Sequence, residues 1–373
     1  MSAHAFLSAS GAHRWLNCPP SASLEAKFED SSGEAAAEGT AAHAMAEYKL
    51  LKALGRKAKK PSSKYDSEEM EDYTDGYVAF IIEMFETAKK TCKDPIVLVE
   101  QRLDFSIYVP EGFGTGDCVI VSDDILHVID FKYGQGVLVD AVENPQMMLY
   151  GLGSLLLFDG IYDIEKVYMT VYQPRRENIN TYVLPKEDLY RWAEEELKPT
   201  AKQAFKGEGE FRSGEWCRFC KAAVKCRTRT EQNLALAKHE FAMPPILTDE
   251  DIEEILGQVD DLVSWANDIK GYALSAAINQ GKEWTGFKLV EGRSNRKYSD
   301  EEEVAKVAKQ AGFTDIYRQS LITLTQMEKL MGKTKFNEVL GSLIIKPPGK
   351  PTLVPESDKR PAITIKSEFE EEI

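Results

Sequence analysis

Apolar positions recur at helical spacing through residues 34–54 (EAAAEGTAAHAMAEYKLLKAL) and again through about 67–91, the period that gives a helix one apolar stripe. The texture then changes. Short β-branched runs follow at 96–105 (IVLVEQRLDF), 115–121 (TGDCVIV) and 125–132 (ILHVIDFK), the last two separated by Ser122-Asp123-Asp124. Such runs bounded by turn residues read as strands, and the last two as a hairpin. Helical period returns at 144–158, strand-like runs at 164–174 and 179–185, and helical period at 186–205. This order predicts an α/β protein with a central mixed sheet flanked by helices.

Beyond residue 205 the pattern thins. A glycine-rich stretch at 207–216 (GEGEFRSGEW) leads to a cysteine cluster, and 241–250 (FAMPPILTDE) reads as a linker. We therefore expect a main domain over 1–240 and a mainly helical accessory region over 245–345, with a strand-like WTGFKLV at 284–290. From 346 to 373 the proline and charge content predicts an extended or disordered tail.

Composition narrows the function classes. No apolar run approaches the roughly 18 residues of a membrane span and no signal peptide opens the chain, so a cytoplasmic protein without a membrane partner is expected. The formal net charge of −15 argues against a protein that coats nucleic acid through a general positive field, which leaves only local basic patches for such contacts. One candidate patch is Arg218, Lys221, Lys225, Arg227 and Arg229, beside the cysteines. A phosphate track and a solvated helix face are both open readings of it. Six cysteines are too few for a disulfide scaffold at this length and are read first as metal ligands.

The sharpest chemical signal is Asp117 followed by Asp130-Phe131-Lys132, one group on each strand of the expected hairpin. Alternation puts Asp130 and Lys132 on one face. Paired carboxylates repel unless a cation lies between them, and their hard oxygens suit Mg²⁺ or Mn²⁺. A lysine there can orient or deprotonate an attacking water, or neutralise charge growing on a phosphate. Glu100, on the preceding strand, either joins this cluster or is a plain edge-strand glutamate. Cys217-x-x-Cys220-x₅-Cys226, with Cys18 far upstream in WLNCPPS, can place four thiolates on zinc or on an iron–sulfur cluster. Cys92 and Cys118 lack such partners and read as buried thiols. Gly332-Lys333-Thr334 ends like a phosphate-binding loop, but Met327 occupies the position of its first glycine, so no ATPase is expected.

The segments GTGDCVIV, VIDFKYGQG and NPQMMLYGLG resemble, in order, the motifs of RecB-type nucleases of the PD-(D/E)XK class. EGTAAHAMAE resembles that family's G-x-x-x-H-x-x-x-E motif at Gly39, His43 and Glu47. The resemblance implies a restriction-endonuclease-like core and a divalent-metal-dependent deoxyribonuclease. In it His43, Asp117 and Asp130 would be ligands to Mg²⁺ or Mn²⁺, joined by Glu100 where the family carries a glutamate. Lys132 would be the catalytic lysine, while Gln146 and Tyr150 place the scissile strand. SASGAHRWLNCPPS with the later C-x-x-C-x₅-C is similar to the iron–sulfur staple of AddB-type and CRISPR-adaptation nucleases. That likeness implies a [4Fe-4S] cluster on Cys18, Cys217, Cys220 and Cys226, with Zn²⁺ the alternative. Residues 245–373 resemble, less specifically, the C-terminal part of a RecB-like family common in phages and prophages, while the nuclease resemblance covers about 1–230 and leaves this part unexplained. The nuclease resemblance implies an exonuclease on single-stranded DNA or DNA ends, working with phage replication or recombination proteins in a bacterial cytoplasm. The competing expectation is a catalytically silent iron–sulfur or zinc DNA-binding module that recruits replication proteins. An intact Asp117, Asp130 and Lys132 argues against it.

Overall fold

The β-branched runs form β1 (Ile96–Asp104), β2 (Phe113–Ser122), β3 (Ile125–Phe131), β4 (Lys166–Gln173) and β5 (Asn178–Pro185), which pair in chain order into one five-stranded sheet. All neighbours are antiparallel except β3 and β4, so the sheet is mixed. Asp123 and Asp124 make the β2–β3 turn, with Asp123 at φ +34°, a positive backbone angle that lets a two-residue turn follow the right-handed twist of the strands. The parallel step needs a crossover, which α5 (Pro145–Phe158) provides. Asn144 starts that helix by accepting from the Gln146 and Met147 amides, and Pro145 is fixed in its first turn.

The computed structural model describes residues 5–28, 33–239, 249–290, 301–310, 327 and 330–344. Ahead of the sheet come α1 (Ala12–Asn17), α2 (Ser21–Glu25), α3 (Glu34–Ala53) and α4 (Glu68–Thr91), the last capped by Ser67 accepting from the Met70 amide. After it come α6 (Lys186–Trp192), a π turn, α7 (Lys198–Lys206), two 3₁₀ turns at Glu215–Phe219 and Ala223–Lys225, α8 (Arg227–His239), α9 (Asp249–Leu256) and α10 (Val259–Gln280).

Alternation along the strands divides the core in two. Val119, Val121, Leu126, Val128 and Met169 pack with Leu149, Leu152 and Leu155 of α5 on one face. Cys118, Ile120, Ile129 and Phe131 pack with Met45 and Leu50 of α3 and Tyr77 and Ile81 of α4 on the other. Helix α5 is apolar on all sides because it is buried from Met147 through Leu155. The result is an α/β protein whose sheet is covered on both faces, and among the described residues no helix is long and apolar enough to cross a membrane.

The chain divides into two compact units, Met1–Gln280 and Gly281–Ile373. The helices on either side of the linker expected at 241–250 thus share one unit, and Arg229 of α8 pairs with Asp268 of α10 at 2.6 Å. In the second unit are α11 (Glu301–Gln310) and α12 (Lys333–Leu340). WTGFKLV is not a strand, since residues 284–290 contain a turn, with the Phe287 amide donating to the Trp284 carbonyl. Phe287, Leu289 and Val290 are exposed there, so the apolar run has no sheet to enter. Residues 240–248, the stretch 291–300 with its basic Arg293, Arg296 and Lys297, and the tail from 346 lie outside the described residues.

Candidate metal centre

The strand register leaves a gap where the acidic residues stand. Val99 pairs with Cys118 and Gln101 with Gly116, so Glu100 and Asp117 face each other without a ladder pair. The β2–β3 ladder begins only at Cys118 and Ile129, one step short of Asp117 and Asp130. Glu100, Asp117 and Asp130 thus occupy one level of three neighbouring strands. Like charges directly opposed across a sheet are destabilising. Glu100 also holds φ +50°, a left-handed conformation in mid-strand that costs a non-glycine residue roughly 1–3 kcal/mol.

Asp117 replaces the missing ladder with its side chain. Its Oδ2 accepts from the Phe131 amide at 2.7 Å, and its Oδ1 lies 3.2 Å from Nδ1 of His43, carried on α3. His43, Glu100 and Asp117 each offer a ligand atom, all within 4.8 Å of one another, in a pocket also lined by Glu47, Tyr77 and Phe131. Burial pushes the Glu100 carboxyl up, Asp117 adds to the push, and the group stands at about 7. For His43 burial pulls the other way, but the charge and hydrogen bond of Asp117 outweigh it and hold the imidazole at about 9. Asp117 is held below the usual carboxylate range, because His43 and the Phe131 amide overcome its burial.

Asp130 is 3% exposed and falls outside the 4.8 Å set. Lys132 Nζ lies 2.9 Å from its Oδ2, a buried ion pair. Burial raises the Asp130 carboxyl and Lys132 opposes the rise. Burial would lower the Lys132 ammonium, yet the Asp130 charge outweighs it and keeps the group above its ordinary value. Gln146 joins the pieces. Its Oε1 accepts from Lys132 at 3.1 Å, and its Nε2 donates to Tyr150 Oη at 3.1 Å and Asp130 Oδ1 at 3.4 Å. Gly114 leaves room for Tyr150, since a Cβ there would stand 2.7 Å from the ring.

The distant cysteines are also brought near one another. Cys18 follows α1, Cys217 sits in the first 3₁₀ turn, and Cys220 and Cys226 flank the second. Burial raises the Cys18, Cys217 and Cys220 thiols, the last to about 12, and nearby thiols add to each rise: Cys226 at Cys18, Cys226 and Cys18 at Cys217, Cys217 at Cys220. Glu25 supports this approach. Its Oε2 accepts from Arg14 Nε at 2.6 Å and its Oε1 from the Lys221 amide at 2.8 Å, which ties α2 to the residue after Cys220. Among the described residues the thiols form no set as tight as that of His43, Glu100 and Asp117. Cys92 and Cys118 are buried away from this group, Cys118 within the sheet core.

The expected basic track is only partly a surface feature. Arg229 is 5% exposed and paired to Asp268, because α10 closes over it, so it is a buried ion pair and not a solvent-facing phosphate contact. Lys225 lies 5.0 Å from the Tyr272 ring centroid. Arg218 stands 6.0 Å from the ring of exposed Phe219, and exposed Arg227 lies 3.9 Å from Glu231. Sequence reasoning missed Glu25, because SASLEAKFED has no spacing that distinguishes a buried acceptor from a surface glutamate.

A family model described as "Protein of unknown function (DUF2800)" matches residues 4–361. The chain belongs to this family. It is also similar to a solved structure titled "Crystal structure of SSO0001", at 15% identity over 49% of this chain and 95% of that one, with a TM-score of 0.23. A score that low transfers neither fold nor activity.

The Glu25 clamp generates a prediction for the DUF2800 chain. Glu25→Ala strips both donors of their acceptor and should lower stability by about 2 kcal/mol or more, since hydrogen bonds to charged groups contribute about 1.5–3 kcal/mol each. Glu25→Gln, which keeps an oxygen for the Lys221 amide, should lose less. Equal urea midpoints for the two variants would show that the clamp contributes nothing.

Proposed function

We propose that this DUF2800 protein is a divalent-metal-dependent deoxyribonuclease with a RecB-type, restriction-endonuclease-like active site and a separate four-cysteine metal centre. The observation that carries the reading is the row of Glu100, Asp117 and Asp130 on adjacent strands with His43 against it. No packing need explains it. A strained Glu100 beside Asp117, its carboxyl raised to about 7 chiefly by burial, suits a place where a cation completes the structure.

The donor set fits the group. One imidazole and two carboxylates within 4.8 Å favour Mg²⁺ or Mn²⁺ over a thiol-loving metal. Bound there, the ion would lower the pKa of a water and offset charge on a scissile phosphate. Lys132 has a narrower role than sequence allows, because a lysine held protonated by Asp130 donates and neutralises and does not take a proton. Asp130 and Gln146 fix its ammonium from two sides, and Tyr150 steadies Gln146. In this reading Asp130 steadies the lysine, and Glu100 joins His43 and Asp117 as a ligand.

For the cysteine centre, four thiols gathered from the two ends of a 200-residue stretch suit a staple that stabilises through its metal. The preference for an iron–sulfur cluster over zinc follows from the sequence resemblance to AddB-type nucleases. The substrate, DNA ends or single strands in phage replication or recombination, follows from the sequence resemblance.

Two outcomes test the two centres. With end-labelled DNA, cleavage should require Mn²⁺ or Mg²⁺ and stop with EDTA, and Asp130→Ala or Lys132→Ala should lower it by about 100-fold or more with the fold intact. Near-parental cleavage by either variant sinks the assignment. Separately, the anaerobically purified protein should be brown, and Cys18→Ala should bleach it and release iron while Cys92→Ala does neither. A colourless wild-type protein containing zinc would replace the cluster reading.

A further inference from the structure

Tyr77, on α4, is 2% exposed, and among the described residues its hydroxyl has no hydrogen-bond partner. A hydroxyl buried without a partner is costly, and a folded protein that keeps one needs a reason. Packing does not give one. The ring lies 4.8 Å from Phe131 and 5.4 Å from Tyr172, centroid to centroid, contacts that phenylalanine would make equally well. What distinguishes the position is its pocket, which His43, Glu100 and Asp117 also line.

The same pocket holds an acceptor in want of a donor. Asp117 is served by His43 and the Phe131 amide, whereas Glu100 accepts no hydrogen bond among the described residues. The Tyr77 phenol carries an O–H donor at the wall of the pocket that Glu100 shares. A protonated phenol is a poor ligand for a hard cation. It is well suited to hold a carboxylate that is one, since ligating carboxylates are commonly hydrogen-bonded from behind.

We infer that Tyr77 is a positioning residue of the metal centre, its hydroxyl donating a hydrogen bond to the Glu100 carboxylate when that carboxylate binds the cation. The inference rests on the metal-centre reading above. It assigns the orphan hydroxyl and the strained glutamate one common purpose, in which Tyr77 fixes which Glu100 oxygen faces the cation.

The test uses the full-length protein and Mn²⁺ alone, with affinity measured by calorimetry and stability by thermal melting without metal. Tyr77→Phe should weaken Mn²⁺ binding about five- to tenfold, the size of one hydrogen bond to a charged group. The metal-free variant should melt at or above the wild-type temperature, because an unsatisfied hydroxyl has been removed. In a Glu100→Gln background the same substitution should change the affinity less than twofold. Unchanged Mn²⁺ affinity in Tyr77→Phe overturns the inference and leaves the metal centre standing, whereas a wild-type protein that does not bind Mn²⁺ overturns both. A lower metal-free melting temperature with unchanged affinity makes the hydroxyl structural, and an undiminished loss in the Glu100→Gln background moves the acceptor elsewhere.

Discussion

Three carboxylates side by side on adjacent strands are the constraint around which this molecule is arranged. Sheet neighbours stand about 5 Å apart, where like charges oppose pairing. Two of the three are relieved within the protein. Asp117 has His43 and the Phe131 amide, and Asp130 has Lys132 and Gln146. Glu100 has no comparable partner, and it is the residue with both the strained backbone and the carboxyl raised to about 7. The flanking helices serve this row from opposite faces of the sheet, α3 bringing His43 and α5 bringing Gln146 and Tyr150. A site carried on neighbouring strands between two helices is fixed by the packing of both faces, so its geometry follows from the fold and not from a mobile loop.

The cysteine region follows a different logic. It gathers parts of the chain that are remote in sequence, and the link shown here is polar: one buried glutamate accepts from Arg14 and from the Lys221 amide. Breaking a buried charge pair leaves its partner uncompensated, so loss of either member of this link is costly. Arg229 repeats the pattern one step outward, joining α8 to α10 through Asp268 and pulling the Cys217 thiol down against its burial. The two centres share no residue.

Most elements were legible because each was periodic. The helix at 34–54, the strands at 96–105 and 115–121 and the hairpin turn all appear within a few residues of expectation. Asp117, Asp130 and Lys132 stood out because charge interrupts otherwise apolar strands. Glu100 was ambiguous in VLVEQRL, since its role depends on a positive φ that spelling does not reveal. Tyr77 was invisible for another reason: in an amphipathic helix an inward tyrosine looks like core, and only the missing partner of its hydroxyl sets it apart. Arg229 misled because its buried partner, Asp268, lies 39 residues further on. WTGFKLV had the composition of a strand but no neighbouring strand to pair with among the described residues.

The central claim is that the acidic row is a cation site, and anomalous diffraction from crystals soaked in Mn²⁺ tests it most directly. The account predicts a manganese peak bounded by His43, Glu100 and Asp117, with Glu100 as a ligand and Lys132 outside the coordination shell. A soaked crystal with no peak at these residues, or with manganese bound elsewhere while His43 and Asp117 keep their mutual contact, would contradict it.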